Sequence, residues 1–121
     1  MPDSIVQKKS YIFALKIVKL SMFLKGDKHY EIASQLLRSG TSIGANVEEA
    51  LASPTLKDFF AKMAIASKEA RETNYWLRLL RDSAICSEDN FGQLIKDSEE
   101  LVKILASIVK TGREKLSKTK I

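Results

Sequence analysis

Side chains that could perform catalysis are scarce in this sequence. The single histidine, His29, lies in a predicted loop, and the single cysteine, Cys86, lies near a predicted turn with no histidine beside it to act as a base. Six glutamates could supply metal-binding carboxylates: Glu48, Glu49, Glu69, Glu72, Glu99 and Glu100. The two-metal sites of helical bundles also need Glu-x-x-His pairs. We therefore predict no catalytic residue, no metal site, no cofactor and no enzymatic activity.

Positive charge is the next feature with chemical consequences, and it is concentrated at one end. The chain carries a net charge of +5, of which residues 110–121 contribute +4. The basic residues of this segment are Lys110, Arg113, Lys115, Lys118 and Lys120. Basic termini commonly contact nucleic acid or other anionic partners. We predict such a role for a basic tail over about 113–121.

Five further cations fall on the third predicted helix. They are Lys62, Lys68, Arg71, Arg78 and Arg81. Because they are spread around the helix and mixed with acids, a solvated surface explains them. A phosphate-binding surface is the alternative, since the subunits of an assembly repeat the same charges and weak contacts then add.

Composition indicates one intracellular domain. A chain of 121 residues supports a single hydrophobic core. The longest apolar run, residues 11–15, is far shorter than the roughly 20 residues of a membrane span, and no cleavable signal precedes it. One cysteine cannot form an internal disulfide, which agrees with a reducing compartment. We expect a single domain over residues 1–121, in the cytoplasm and without membrane contact.

Apolar periodicity predicts an all-α protein, an antiparallel up-and-down four-helix bundle. The predicted helices cover residues 4–24, 30–51, 54–83 and 87–112. Their connections are short, which requires consecutive helices to run in opposite directions. The boundary residues are Ser4 and Gly26 for the first helix, Ser53 and Pro54 for the start of the third, Ser87, Glu88 and Asp89 for the start of the fourth, and Gly112 for its end.

The first and third predicted helices carry more apolar surface than one core requires. Core stripes are predicted at Val6, Phe13, Ile17, Leu20 and Leu24, and at Phe59, Met63, Ala66, Ala70, Thr73, Leu77 and Leu80. The extra residues are Tyr11, Val18 and Met22 on the first helix, and Ile65, Trp76 and Leu79 on the third. Such surface predicts an interface with a second copy of the chain, and therefore a homo-oligomer.

Small residues at the centre of the second predicted helix favour close packing against another helix. Gly40 and Gly44 lie inside a helix, where each costs about 1 kcal/mol relative to alanine, so close approach of another helix is favoured. A backbone surface open to a ligand and a local kink are the alternatives.

The run from Lys68 to Thr73 is predicted to be a solvated or salt-bridged helix face. The alternative is a buried hydrogen-bond network between helices, in which Glu72 and Thr73 bind Asn46 and Glu49.

Two segments resemble a known family. They are Arg38 followed by Ser42-Ile43-x-x-Asn46-Val47-x-Glu49-Ala50, and, after Phe59, Lys68-Glu69-Ala70-x-Glu72-Thr73-x-Tyr75-Trp76-Leu77. This pattern resembles the four-helix-bundle proteins of the 23S rRNA-intervening-sequence family, with Ala50 where the family often has glycine. The resemblance implies an antiparallel subunit, commonly in a ring-like homopentamer, encoded in bacteria and in some cases within rRNA intervening sequences.

Two functional hypotheses follow. The first is a non-enzymatic oligomer that binds nucleic acid, with structured RNA favoured over DNA, through the cations of the third helix and the tail. The second is a protein interaction scaffold or accessory subunit that engages a protein without nucleic acid. A more distant resemblance, to accessory proteins of diversity-generating retroelements, implies a reverse transcriptase as one such partner.

Overall fold

The four apolar segments form four helices that pack against one another. The computed structural model of the protein describes residues 2–87 and 91–118, with side chains described from Ile5 onward. Every regular element in these residues is an α-helix: α1 Pro2–Gly26, α2 Tyr30–Leu51, α3 Leu56–Ser83 and α4 Phe91–Lys118. The predicted all-α class with four helices is therefore confirmed.

Helices that follow one another in the chain pack against each other. α2 packs against α1 and α3, and α4 packs against α3 and, less extensively, against α1. Gln7 near the start of α1 donates a 2.8 Å hydrogen bond to Glu48 near the end of α2. Lys16 of α1 forms a 3.0 Å ion pair with Asp97 of α4, which closes the bundle between its first and last helices. No helix in the described residues is long and apolar enough to cross a membrane.

The core forms along the predicted stripes. All five predicted core residues of α1 are buried, and on α2 so are Ala33, Leu36, Gly40, Ile43, Val47 and Ala50. On α3 the buried phenylalanine is Phe60, whereas the predicted Phe59 is only half-buried at the edge of the core. The two rings meet edge to face with centroids 5.0 Å apart. The predicted core position at the start of α3 is therefore wrong by one residue, since Phe60 and not Phe59 is buried.

The start of α3 differs from the prediction. The helix begins at Leu56 because Thr55 caps it, its hydroxyl accepting a 3.1 Å hydrogen bond from the backbone N–H of Asp58. Ser53 instead bonds back to carbonyl groups in the last turn of α2. The predicted start at Ser53 and Pro54 was wrong, since Pro54 lies between the two helices.

The other ends of the helices also differ from the predictions. α1 extends from Pro2 to Gly26, past both predicted ends, and the side chain of Ser4 lies outside the described residues. α4 is described from Phe91, so the predicted first turn with Glu88 and Asp89 lies outside them as well. The cap predicted at Ser87 therefore stays a prediction.

Gly112 lies inside α4, which continues to Lys118. A Cβ at this position would lie 2.5 Å from two ring atoms of Phe60. The glycine therefore allows α4 to approach α3 closely, and the interpretation of Gly112 as a helix end was wrong. Residues 113–118, which are most of the predicted basic tail, are therefore helical.

Candidate nucleic-acid interface

Two of the five cations predicted on α3 are paired with acids. The Nζ atom of Lys62 lies 3.0 Å from a carboxylate oxygen of Glu49 on α2. The Nε atom of Arg81 donates a 2.7 Å hydrogen bond to Asp82, and this bond raises the pKa of Arg81 and lowers the pKa of Asp82. Because both positive charges are compensated locally, Lys62 and Arg81 are weak candidates for phosphate contacts.

The other three cations lie on one exposed stripe of α3. Lys68, Arg71 and Arg78 are three and seven residues apart, a spacing that brings side chains to the same side of a helix. All three are exposed, and in the described parts of the chain none forms an ion pair. Tyr75 lies among them with 48% of its surface exposed. The structure thus brings together three cations that the sequence left dispersed.

A groove between α3 and α4 adds a fourth cation to this stripe. Its lining residues are Arg71, Asn74 and Arg78 from α3, and Glu99, Val102 and Lys103 from α4. Its volume is about 290 Å³. The sequence analysis did not predict Lys103 as a binding residue. The seven-residue spacing of Lys96, Lys103 and Lys110 was the available signal. We name Lys68, Arg71, Arg78 and Lys103 the basic face.

A chain of hydrogen bonds fixes one member of the basic face. Ser98 of α4 is fully buried, and its hydroxyl accepts a 2.9 Å hydrogen bond from the side-chain amide of Asn74. The amide oxygen of Asn74 accepts a 2.8 Å bond from the Nε atom of Arg78. The guanidinium of Arg78 in turn lies over the Tyr75 ring, 5.9 Å from its centroid. Neither Asn74 nor the role of Ser98 was found in the sequence.

The C-terminal cations lie on the last turns of α4. Lys110, Arg113, Lys115 and Lys118 are exposed, and Lys120 lies outside the described residues. Among the described residues none of the four forms an ion pair. These cations are therefore available to an anionic partner, and a helix holds them.

A polar network joins α2 to α3. Arg38 of α2 forms ion pairs with Glu69, at 3.1 Å, and with Glu72. Glu72 also accepts a 3.0 Å hydrogen bond from the indole N–H of Trp76. Deeper in the interface, the hydroxyls of Thr73 and Ser39 are hydrogen-bonded at 3.0 Å. Both hydroxyls are fully buried, so this pair helps fix how the two helices align.

The partners predicted for this network were wrong. The amide of Asn46 donates a 2.8 Å bond to the carbonyl of Ser42 within α2. Glu49 pairs with Lys62 nearer the end of the bundle, as described above. Both residues lie one or more turns further along α2 than Arg38 and Ser39, which are the residues that face Glu72 and Thr73.

The residues predicted for an oligomer interface form two separate patches. Tyr11, Val18 and Met22 are exposed on α1, and we name them the α1 patch. Ile65, Trp76 and Leu79 lie on α3, with Trp76 half-buried, and we name them the α3 patch. α2 and α4 each pack against both α1 and α3, and in the described residues no Cα atom of α1 lies within 8 Å of a Cα atom of α3. The single chain therefore presents two different apolar surfaces.

The remaining residues with chemical potential are dispersed. His29 lies in the turn before α2, where its Nε2 atom is 3.0 Å from Asp27. Cys86 is a half-buried free thiol. In residues 2–87 and 91–118, no three side chains of histidine, cysteine, aspartate or glutamate come together in a group that could hold a metal ion.

A model of one protein family matches most of the chain. The family is described as 23S rRNA-intervening sequence protein, and the match covers residues 2–107. The chain belongs to this family. The match to the 23S rRNA-intervening sequence family includes the whole basic face and ends before Lys110, so the C-terminal cations lie beyond it.

A solved structure is similar over nearly the whole chain. It is a crystal structure at 1.70 Å resolution of a protein of unknown function from the S23 ribosomal protein family of Bacteroides thetaiotaomicron VPI-5482. The two chains share 43% sequence identity with a TM-score of 0.84, over 91% of this chain and 99% of the other. No curated protein matches the chain.

The segments that resembled the 23S rRNA-intervening sequence family are placed mainly at the contact between α2 and α3. Ile43 and Val47 are fully buried, and Ser42 and Asn46 are bonded to α2 itself. Most of these residues therefore have a structural explanation. Tyr75 differs because about half of its surface is exposed on the basic face.

Proposed function

We propose that this protein is a non-enzymatic, homo-oligomeric nucleic-acid-binding protein of the bacterial cytoplasm, with RNA as the favoured ligand. The observation that carries the proposal is the basic face. Its Arg71, Arg78 and Lys103 line one groove with a single acid, Glu99, and Lys68 is exposed one turn before Arg71 on α3. Phosphate contacts from lysine and arginine supply most of the sequence-independent affinity for nucleic acid.

Two locations could carry the phosphate contacts. The cations at the end of α4 add positive charge, but they lie beyond the segment that the family model matches. The basic face lies within that segment. We therefore assign the main contacts to the basic face and an auxiliary role to Lys110, Arg113, Lys115, Lys118 and Lys120.

The experiment compares two pairs of substitutions on the same helix. Lys68→Gln with Arg71→Gln removes two unpaired charges, whereas Lys62→Gln with Arg81→Gln removes two charges that are paired with acids. RNA and DNA affinities are measured by fluorescence anisotropy over a salt series. Each lost phosphate contact reduces the magnitude of the salt slope, the slope of log affinity against log salt concentration, by about 0.7 to 0.9. We expect the first pair to lower it by about 1.4 to 1.8, and the second by much less.

Two results would contradict the proposal. The absence of RNA and DNA binding by the unaltered protein would remove it entirely. Equal changes of slope for the two pairs would show that net charge alone, and no particular face, determines binding.

We further propose that the subunit is an antiparallel up-and-down bundle that assembles into a ring. Paired contacts such as Gln7 with Glu48 and Lys16 with Asp97 support the antiparallel order. A ring uses two different surfaces of each subunit, one for each neighbour. The α1 and α3 patches are two such surfaces, and a homopentamer is the assembly that the family resemblance favours.

The second candidate function is a protein scaffold. Its support is the same pair of apolar patches, since large exposed apolar surface marks contact with another protein. A reverse transcriptase is the partner that the more distant resemblance implies. Capture of a partner that survives nuclease treatment, by a protein that binds no nucleic acid on its own, would favour this function over the first.

A further inference from the structure

Tyr75 lies at the centre of the basic face, where a nucleic acid chain would cross it. Lys68 and Arg71 precede it by about two turns and one turn of α3, and Arg78 follows by one turn. About half of its surface is exposed, and its ring and that of Trp76 pack in an edge-type arrangement, with centroids 5.2 Å apart and planes at 68°. An aromatic ring framed by cations is the arrangement with which proteins hold unpaired bases.

Arg78 is held in position before any ligand arrives. Its guanidinium lies over the Tyr75 ring and is bonded to Asn74, which is bonded to the buried Ser98. Side chains ordered in advance lose less conformational entropy on binding. Guanidinium and ammonium groups can both contact a phosphate, but only the planar guanidinium can also stack on a base. Tyr75 and Arg78 thus offer two neighbouring planar groups.

We propose that Tyr75 and Arg78 form a stacking site for an unpaired nucleobase, while Lys68, Arg71 and Lys103 contact the phosphates on either side of it. The inference rests on the proposed nucleic-acid function and adds that the strand is single at this contact. In a duplex the faces of the bases are covered by their neighbours, so a ring on the protein surface has nothing to stack on. A loop or single-stranded segment presents those faces.

The test uses three ligands and substitutions that leave the charge of the protein unchanged. The ligands are an unstructured RNA of about 12 nucleotides, the DNA of the same sequence, and the RNA duplex of the same length. Tyr75→Ala removes the ring and Tyr75→Phe retains it. Tyr30→Ala is the matched control, because Tyr30 is an exposed tyrosine that lies beside Glu31 at the start of α2.

We expect Tyr75→Ala to weaken binding of the single-stranded RNA by about 5- to 150-fold, since one stacked base contributes about 1–3 kcal/mol. The salt slope should stay constant, because the substitution removes no lysine or arginine that contacts a phosphate. Binding of the duplex should change by less than about twofold, as should binding of every ligand by the Tyr75→Phe and Tyr30→Ala proteins. A similar loss for the single-stranded DNA would assign the contact to the base, and a loss confined to RNA would add a contact to the 2′-hydroxyl.

Arg78→Lys separates stacking from charge. The positive charge remains, so the salt slope should persist while the affinity for single-stranded RNA falls. Unchanged single-strand binding by the Tyr75→Ala protein would overturn the stacking site, and so would an equal loss on the duplex. With either result the proposed function still stands if the unaltered protein binds RNA. If the unaltered protein binds none of the three ligands, both proposals fall.

Discussion

Gly40 of α2 lies so close to Ile17 of α1 that no residue with a side chain would fit in its place. A Cβ at Gly40 would lie 2.6 Å from the Cγ2 atom of Ile17 and 2.9 Å from its Cγ1 atom. Ile17 is fully buried and branched at Cβ, so it has little room to move. The predicted close packing is confirmed at Gly40. At Gly44 a Cβ would lie 3.4 Å from the Ser10 carbonyl oxygen, an ordinary contact.

The two glycines should therefore respond to alanine in opposite directions. We expect Gly40→Ala to lower the free energy of unfolding by about 1–2 kcal/mol, because overpacking of the core outweighs the gain in helix propensity. Gly44→Ala should leave stability unchanged or raise it by up to about 1 kcal/mol. Urea unfolding followed by circular dichroism measures both values.

A double substitution tests the cause of the loss. Replacing Ile17 by alanine removes its Cγ1 and Cγ2 atoms, the two that the new Cβ would meet most closely, and leaves its Cβ at 3.1 Å. The protein with both Ile17→Ala and Gly40→Ala should therefore lose less stability than the sum of the two single changes. Additive losses would show that the contact is not the origin of the effect, and a stabilised Gly40→Ala protein would show that the helices separate readily.

The sequence predicted the elements that depend on periodicity and failed where a single contact decides. The stripe from Val6 to Leu24 was found because helical spacing alone places it. Gly112 looked like a helix end, since its packing partner Phe60 is distant in sequence. Pro54 is a common first residue of a helix, but the hydroxyl of Thr55 gives α3 its cap.

The sequence predicted which cations α3 carries, but it could not show which of them are paired with acids, because that depends on how the helices pack. The five cations of α3 look equivalent in the sequence, and only the positions of Glu49 and Asp82 show that Lys62 and Arg81 are already paired. Lys103 joins the basic face from a different helix. The link from Ser98 through Asn74 also depends on how α3 packs on α4.

The end of α4 should contribute to stability and, separately, to charge. A chain that ends at Lys110 loses Gly112 and the turns around it, which uncovers Phe60. We expect this truncation to lower the melting temperature. Substituting glutamine for Arg113, Lys115 and Lys118 should keep the melting temperature and lower the salt slope of RNA binding by up to about 2 to 3.

Thermal unfolding and RNA titration of both proteins distinguish these effects. Truncation alone would confuse a loss of folding with a loss of phosphate contacts, so the triple substitution is the informative variant. An unchanged melting temperature after truncation would mean that the last turns of α4 do not support the bundle. An unchanged salt slope after the triple substitution would remove these cations from RNA binding.

Arg38, Glu72 and Trp76 should behave as one polar network. Both charged side chains are partly exposed, so a double-mutant cycle of Arg38→Ala and Glu72→Ala should give a coupling of about 0.5–1 kcal/mol. Trp76 is the single tryptophan, and its indole N–H donates to Glu72. Its fluorescence maximum should shift in Glu72→Ala and less in Glu72→Gln, which retains an acceptor oxygen. A coupling of zero with an unshifted spectrum would exclude the network.

The two apolar patches should behave as the two halves of one interface. Val18 and Leu79 are matched for a test because they are 40% and 39% exposed on α1 and α3. A charge at either position should abolish assembly without unfolding the subunit, since neither side chain belongs to the core. Sedimentation velocity of Val18→Asp and of Leu79→Asp should each show monomers, and circular dichroism should show intact helices.

Mixing the two variants then decides how the subunits join. In a head-to-tail ring, the intact α3 patch of Val18→Asp can still bind the intact α1 patch of Leu79→Asp, so the mixture should form a one-to-one dimer that cannot grow further. If each patch instead binds a second copy of itself, each variant alone still dimerises through its intact patch, because a two-fold interface uses the same surface on both subunits. Dimers in the separate samples would therefore contradict the ring, as would a mixture that stays monomeric.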